Sequence, residues 1–179
     1  MGELWDVYDI NKNKTGKIAE RGVTKLQNGE YHIAVQAIII NSKGDILISK
    51  RAAHKKYGLM WELNGGSILK GETSIEGMIR ELKEELGITV ISEDAIFFKE
   101  VRREREESYI KELWLFRKDI EIEEITFPDG EAIEAKWVTI NQFIDMFNNE
   151  EIVPTVDFGL EDYNKALKIS EQRDGPFVQ

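Results

Sequence analysis

The chain has 179 residues, 41% hydrophobic and 32% charged, enough for a sizeable core and too apolar for a disordered chain. A formal net charge of −10 argues against binding long duplex nucleic acid, whose phosphates need a basic surface. No run approaches the ~20 apolar residues of a membrane span, and the lack of cysteine removes disulfides, thiolate metal sites and cysteine nucleophiles.

The start, MGELWDVYD, is acidic and polar, unlike a secretory signal, and Asp6 breaks the myristoylation pattern. Together with the missing cysteines this predicts a cytoplasmic protein. ELWDVYDI and GKIAERGVTKL flank the turn-rich NKNKTG and predict a hairpin extension within residues 1–30. YHIAVQAIII reads as a strand, NSKGD as a turn and ILISKR as a second strand. A loop, AAHKKYGLM, leads to WELNGG. A helix then starts at Thr73 or Ser74 and stops at Gly87, a residue suited to a left-handed cap. AIFFKEVRRERE and YIKELWLFRKDI predict a long hairpin, EAKWVTI a strand and NQFIDMFNNE a short helix. Residues 155–179 hold a closing helix, with the last six residues as a loose tail. Strands in hairpins mixed with helices predict an α+β fold, one domain over residues 1–179, with a mixed sheet packed between helices.

On a wheel of about 100° per residue, Ile75, Met78, Ile79, Leu82 and Leu86 gather on one face as a core stripe. Glu81, Glu84 and Glu85 occupy the adjoining arc with no base interleaved, Arg80 lying at its edge. A solvated helix face normally alternates Glu with Lys at i+4. Bunched carboxylates instead raise one another's pKa and destabilise the helix unless a cation binds. Mg²⁺ or Mn²⁺, which take hard oxygen ligands and bridge carboxylates to phosphates, suit such a cluster. A bound divalent cation also lets an acidic protein hold a small phosphorylated ligand.

Gly66, five residues, Glu72, seven residues, then RELKEELGI fill every defined position of G-x5-E-x7-R-E-U-x-E-E-x-G-U, with U aliphatic. The stretch resembles the signature of the Nudix superfamily. The resemblance implies an α/β/α sandwich with a mixed sheet and hydrolysis of a diphosphate bond, usually in a nucleoside diphosphate linked to another group. It further implies that Glu81, Glu84 and Glu85 bind the metal, that Arg80 orients the carboxylates, and that Glu72 lies behind them or supports the loop. The Gly65-Gly66 pair allows close backbone approach at the corner. Metals screen the diphosphate charge and acidify a water, and a further carboxylate can take the water's proton. For that base, FPDGEAIEAKW offers Glu131 and Glu134. Glu131 is preferred, with Glu112 a third candidate and Glu81 itself another.

Beyond the signature, ELWDVYDINKNKTG and NSKGDILISKRAAHKK resemble the branch of the superfamily related to isopentenyl-diphosphate isomerase. That enzyme's cysteine would fall at Gly65 and one of its histidines at Ser67, so the isomerase residues are missing. Only His32 has a counterpart, and it reads as a satisfied strand-end residue. By the same resemblance Arg51 and Lys55 contact phosphate, as an Arg fork and a Lys point charge suit phosphate oxygens. VRRERE, Val101–Glu106, is a further basic stretch, more readily a solvated hairpin. Trp61 or Tyr57 is a candidate platform for a base. The leading expectation is a Mg²⁺- or Mn²⁺-dependent hydrolase of a small phosphorylated substrate, most naturally a nucleotide. A ligand-sensing module, which would tend to lose these carboxylates, and the isomerase are the alternatives. Related proteins are often dimers, which makes a homodimer an expectation, with the N-terminal hairpin as a contact.

Overall fold

Apart from Gln36, the run from Ile33 to Ile40 is apolar on both faces, and it occupies the middle of the sheet. The computed structural model describes residues 2–104 and 108–174. Strand β3 (His32–Ile40) runs parallel to β7 (Tyr109–Arg117), in register from His32↔Tyr109 to Ile40↔Arg117. Here β3 departs from the sequence expectation. Read as the first of two strands joined by a turn, it meets β4 (Ile46–Arg51) only at Ile40↔Ile46. A strand this apolar on both faces belongs where both are covered, and β7 provides the long-range partner.

The rest of the sheet grows from this pair. The expected hairpin of β6 (Ile96–Arg103) with β7 forms one side. On the other side β4 pairs with β5 (Trp61–Glu62) and with β8 (Ala132–Val138), both antiparallel. Odd-numbered residues of β3, Val35, Ala37 and Ile39, pack on Met78, Leu82 and Leu86 of α1 (Ser74–Leu86). Even-numbered Ile38 and Ile40, with Leu113 and Leu115, pack under Phe143 and Met146 of α2 (Ile140–Asn148) and Ala166 of α3 (Leu160–Asp174). The expected mixed sheet between helices is therefore the architecture of the chain.

Local chemistry sets the ends of α1. Thr73 and Glu76 form a reciprocal capping box at its start. At its end Gly87 (φ 68°) donates to the carbonyls of Leu82 and Lys83. A Cβ there would lie 2.1 Å from Thr126 Oγ1, so both conformation and contact require glycine.

The N-terminal segment makes a two-stranded sheet of its own, β1 (Leu4–Tyr8) with β2 (Lys14–Glu20), around Trp5, Val7, Ala19 and Leu26. Tyr8 bridges to Tyr31, and Lys12 in the turn reaches Glu100 at 2.8 Å and Glu112 at 2.7 Å. Of the expected features, the end of VRRERE (residues 105–106) and tail residues 175–179 lie outside the described residues.

Candidate active site

Strand β5 ends in a corner, Leu63 to Gly66, sewn onto the backbone of β3. The amide of Ala37 donates to the carbonyl of Asn64 and that of Val35 to Gly66, each at 2.8 Å. A Cβ on Gly65 would lie 2.0 Å from the carbonyl oxygen of Val35, and one on Gly66 would lie 2.4 Å from Glu81 Oε1. The Gly-Gly pair thus lets the corner sit against β3 and leaves space for the Glu81 carboxylate. Gly77 plays a similar part within α1, where a Cβ would come within 2.6 Å of Ile68 Cγ2.

Arg80 is the hub of the acidic helix. It holds Glu72 in a two-point contact, Nε to Oε1 at 2.8 Å and Nη2 to Oε2 at 3.1 Å. Its Nη1 donates to Glu81 and Glu84, both at 2.9 Å, and Nη2 to the carbonyl of Ser67 at 3.0 Å. Burial opposes the guanidinium charge, but these carboxylates outweigh it and strengthen its hold on the proton. Two of the three helix acids therefore do have an interleaved base, contrary to the wheel. Arg80 curls across its own helix face, which a projection by angle does not reveal. Glu72 sits behind it, also accepting from the amide of Leu69 at 2.8 Å. Burial raises the pKa of Glu72, but the Arg80 and Leu69 bonds prevail and hold it low.

Of the helix acids, Glu85 is buried and Glu81 half-buried. Burial pushes Glu81 up to about 7 against the pull of Arg80, with repulsion from Glu84 and Glu3 adding to it. Glu85 is only 4% exposed. Burial drives its pKa well up, with Glu62 repelling it and an Asn64 hydrogen bond opposing. Asn64 donates to Glu85 at 3.0 Å and to Ser49 Oγ at 2.8 Å. Glu62, raised by burial and lowered by Arg51, completes a buried carboxylate group. Sequence reasoning missed Glu62. Its available signal was an acid directly after Trp61 in a short strand leading to the Gly-Gly corner.

Glu81, Glu84 and Glu85 border one cleft of about 840 Å³, together with Arg80, Gly65 and Gly66. Glu131, Arg51 and Lys55 border it as well, as do Glu62 and Asp129. Arg51 Nη1 pairs with Glu62 at 2.5 Å and its Nε donates to the carbonyl of Lys56 at 2.8 Å. Lys55 is ion-paired with Glu131. The backbone carbonyl of Glu131 accepts from Ala52 at 2.8 Å, and its amide donates to Asp129 at 2.9 Å. Arg21, after β2, borders the same cleft and pairs with Glu3 at 2.8 Å. Burial works against its charge, but Glu3, Glu131 and Glu81 more than compensate.

Other candidates fall elsewhere. Glu134 lies outside the cleft lining and faces Lys50 at 3.4 Å. Glu112, far from solvent, is spent on Lys12, and it too is absent from the lining. Trp61 is buried under Lys136, whose Nζ is 4.0 Å from the ring centroid, and Tyr57 packs on the same core. Neither ring borders the cleft, so neither is the expected platform. His32 is not the satisfied residue expected. Its Nδ1 has no hydrogen-bond partner, although its ring stacks on Trp5 at 4.1 Å.

Hard oxygen donors on one wall fit a divalent cation chemically. The crowding of Glu62, Glu81 and Glu85 is the cost such a cation would relieve. Among the described residues no three His, Asp or Glu side chains already form a ready-made shell. No helix is long and apolar enough to cross a membrane among those residues.

The family model of the NUDIX domain matches residues 30–156. A Nudix hydrolase of Listeria monocytogenes is 35% identical over 155 residues, covering 85% of this chain and 89% of that one. The 8-oxo-dGTP diphosphatase of Escherichia coli is 43% identical over 60 residues, 34% of this chain and 46% of that protein. Among solved structures, a MutT protein from Methanosarcina mazei aligns with a TM-score of 0.61 at 25% identity, covering 79% of this chain and 96% of that one. The filled signature, the sandwich around it and the match over most of the sequence agree: the chain belongs to the Nudix hydrolase family.

Proposed function

We propose that this chain is a Mg²⁺- or Mn²⁺-dependent hydrolase that cleaves a diphosphate bond in a small nucleoside diphosphate-linked or related substrate. The observation that carries the proposal is Glu85. A carboxylate 4% exposed, repelled by Glu62 and Glu81 and bonded to the neutral amide of Asn64, suits a site that receives positive charge. In this assignment Glu81, Glu84 and Glu85 would hold the cation, which when bound neutralises phosphate charge and acidifies a water. Arg80, anchored by Glu72, orients Glu81 and Glu84. Arg51 and Lys55 exchange their carboxylate partners for substrate phosphate oxygens, a trade of like for like in charge. Release of Lys55 frees Glu131 to take the proton of the attacking water.

The preference for a nucleotide draws support from two relatives whose names describe nucleotide pyrophosphatases, the 8-oxo-dGTP diphosphatase and the CTP pyrophosphohydrolase of E. coli. Isomerase chemistry finds no support. The position of its cysteine is Gly65, where even a Cβ would collide with the Val35 carbonyl. The ligand-sensing alternative is disfavoured because all the signature carboxylates remain. The test is a panel of nucleoside di- and triphosphates and diphosphate conjugates, assayed for released phosphate, pyrophosphate or nucleoside monophosphate with Mg²⁺ and Mn²⁺ in parallel. Metal-dependent turnover of at least one member is the expected result. Binding without turnover across the panel would favour the sensor.

A further inference from the structure

We propose that the turn Tyr57–Gly58–Leu59, which lies outside the cleft, is a positioning element that presets Arg51 and Lys55 for the phosphates of a substrate. The proposal deepens the hydrolase assignment and rests on it for the phosphate-binding roles of those two residues.

The chain between β4 and β5 is more constrained than a connection requires. The Arg51 amide donates to the carbonyl of Met60 at 2.9 Å, and the Leu59 amide to the carbonyl of Arg51 at 3.0 Å. These bonds close residues 52–58 into a loop at the end of the β4–β5 pairing. Within it Tyr57 has φ 58° and Leu59 φ 66°, two of the four non-glycine residues with positive φ among the described residues. Left-handed backbone costs free energy wherever a Cβ is present, and an unconstrained turn places glycine or asparagine there. The glycine stands between the two instead, at a point of close approach. A Cβ on Gly58 would lie 2.4 Å from the carbonyl oxygen of Ala53. The loop is thus folded down onto its own first residues. Leu59 is 54% exposed and Tyr57 packs on the core, and neither borders the cleft. Strain held in a segment that meets no ligand points to a function in what the segment places.

What it places is on the cleft side. The carbonyl of Lys56 accepts from Arg51 Nε at 2.8 Å while Arg51 Nη1 reaches Glu62 at 2.5 Å, so the guanidinium is held at two points. The first turn of the loop is closed by the Lys55 amide on the carbonyl of Ala52 at 3.1 Å, and it sets Lys55 beside Glu131. The Ala52 amide donates to the carbonyl of Glu131 at 2.8 Å, which ties the same turn to the residue before β8. Arg51, Lys55 and Lys56 all border the cleft. A long cationic side chain that is free to rotate loses that freedom when it grips phosphate, whereas one already held loses little. Opening the backbone at Leu59 would shift the Lys56 carbonyl and Lys55 together, since only Tyr57 and Gly58 intervene.

The test compares two substitutions at one exposed position. Leu59→Gly accepts the left-handed conformation freely, whereas Leu59→Val, with a β-branched side chain, resists it. Leu59→Val should raise KM for a Mg²⁺-dependent substrate roughly tenfold with kcat little changed, the pattern of lost binding common to ground and transition states. Leu59→Gly should stay within about twofold of wild-type KM, as rescue through φ alone requires. Gly58→Ala, which pushes against the Ala53 carbonyl, should reproduce the Leu59→Val effect and serves if that variant fails to fold, as melting temperatures will show. Leu59→Val combined with Lys55→Ala should lower kcat/KM by less than the product of the single effects, because the turn acts through that lysine. A purely structural role would leave the two effects multiplicative and overturns the proposal. So do an unchanged KM in both folded turn variants, a fall in kcat at constant KM, and a Leu59→Gly as impaired as Leu59→Val. Calorimetric titration of inorganic pyrophosphate with Mg²⁺ separates the two levels, since it needs no turnover. If wild type binds pyrophosphate, Leu59→Val weakens that binding and no substrate is hydrolysed, the positioning role stands and the hydrolase assignment falls. If substrate is hydrolysed and the turn variants leave its KM intact, the hydrolase stands and the positioning role falls. If wild type neither binds pyrophosphate nor hydrolyses a substrate, both are overturned.

Discussion

Glu84 and Glu85 are neighbours in sequence with opposite surroundings. The Glu84 side chain is 51% exposed beside Arg80, whereas Glu85 is buried beneath Asn64. Replacing either by Gln keeps shape and removes charge, and each variant should lose roughly two or more orders of magnitude in kcat, as expected for groups that stabilise transition-state charge. Only Glu85→Gln should also leave the metal-free protein as stable or more so, because it relieves repulsion from Glu62. Chemical denaturation of both variants checks this. Glu81 gives a pH prediction. Its folded pKa of about 7 lies above the 4.5 of a free glutamate, so the folded state binds the extra proton between those values. Stability of the metal-free protein should therefore fall as pH rises from about 4.5 to 7, and Glu81→Gln should flatten that slope in a melting series. At Glu131, kcat should drop in Glu131→Gln with KM little changed, and the acidic limb of the pH–rate profile should shift. Glu134→Gln, facing Lys50, should be mild. A damaging Glu134→Gln would place the base three residues later. The helix acids were legible because their spacing alone puts them on one face. Glu62 and Asp129 were not, since only folding brings them to the cleft.

At the level of elements, the limits of α1 could be read from cap chemistry. Thr73, Glu76 and Gly87 act through bonds made within a few residues, so sequence carries the whole signal. Thr73→Ala should cost about 1 kcal/mol in urea unfolding by removing the side-chain half of the capping box. The partner of β3 could not be read this way. Alternation and apolarity identify a strand and its burial, yet nothing local distinguishes a neighbour across a turn from one beyond a helix. The same reason misplaced Trp61, whose aromatic ring suggested a platform until its strand proved to be pinned inside the core.

For the whole molecule, the N-terminal hairpin is tied to the sheet by the Tyr8–Tyr31 bridge, by Trp5 stacked on His32, and by ion pairs from one turn residue. Lys12 (φ 61°) answers two acids, one of them Glu112, which is nearly sealed from solvent. Lys12→Ala strands that carboxylate and should destabilise the chain by about 1–3 kcal/mol. Adding Glu112→Gln should recover much of the loss, as a double-mutant cycle would measure. The parallel union of β3 with β7 bears on how the chain is made. When β3 leaves the ribosome its partner strand, beginning at Tyr109, has not been synthesised. Contacts between segments so distant in sequence form slowly. Until then the Ile-rich segment from Ile33 to Ile40 is an exposed, sticky edge. It is the stretch through which nascent or heat-shocked molecules should aggregate, and the one a holding chaperone should find.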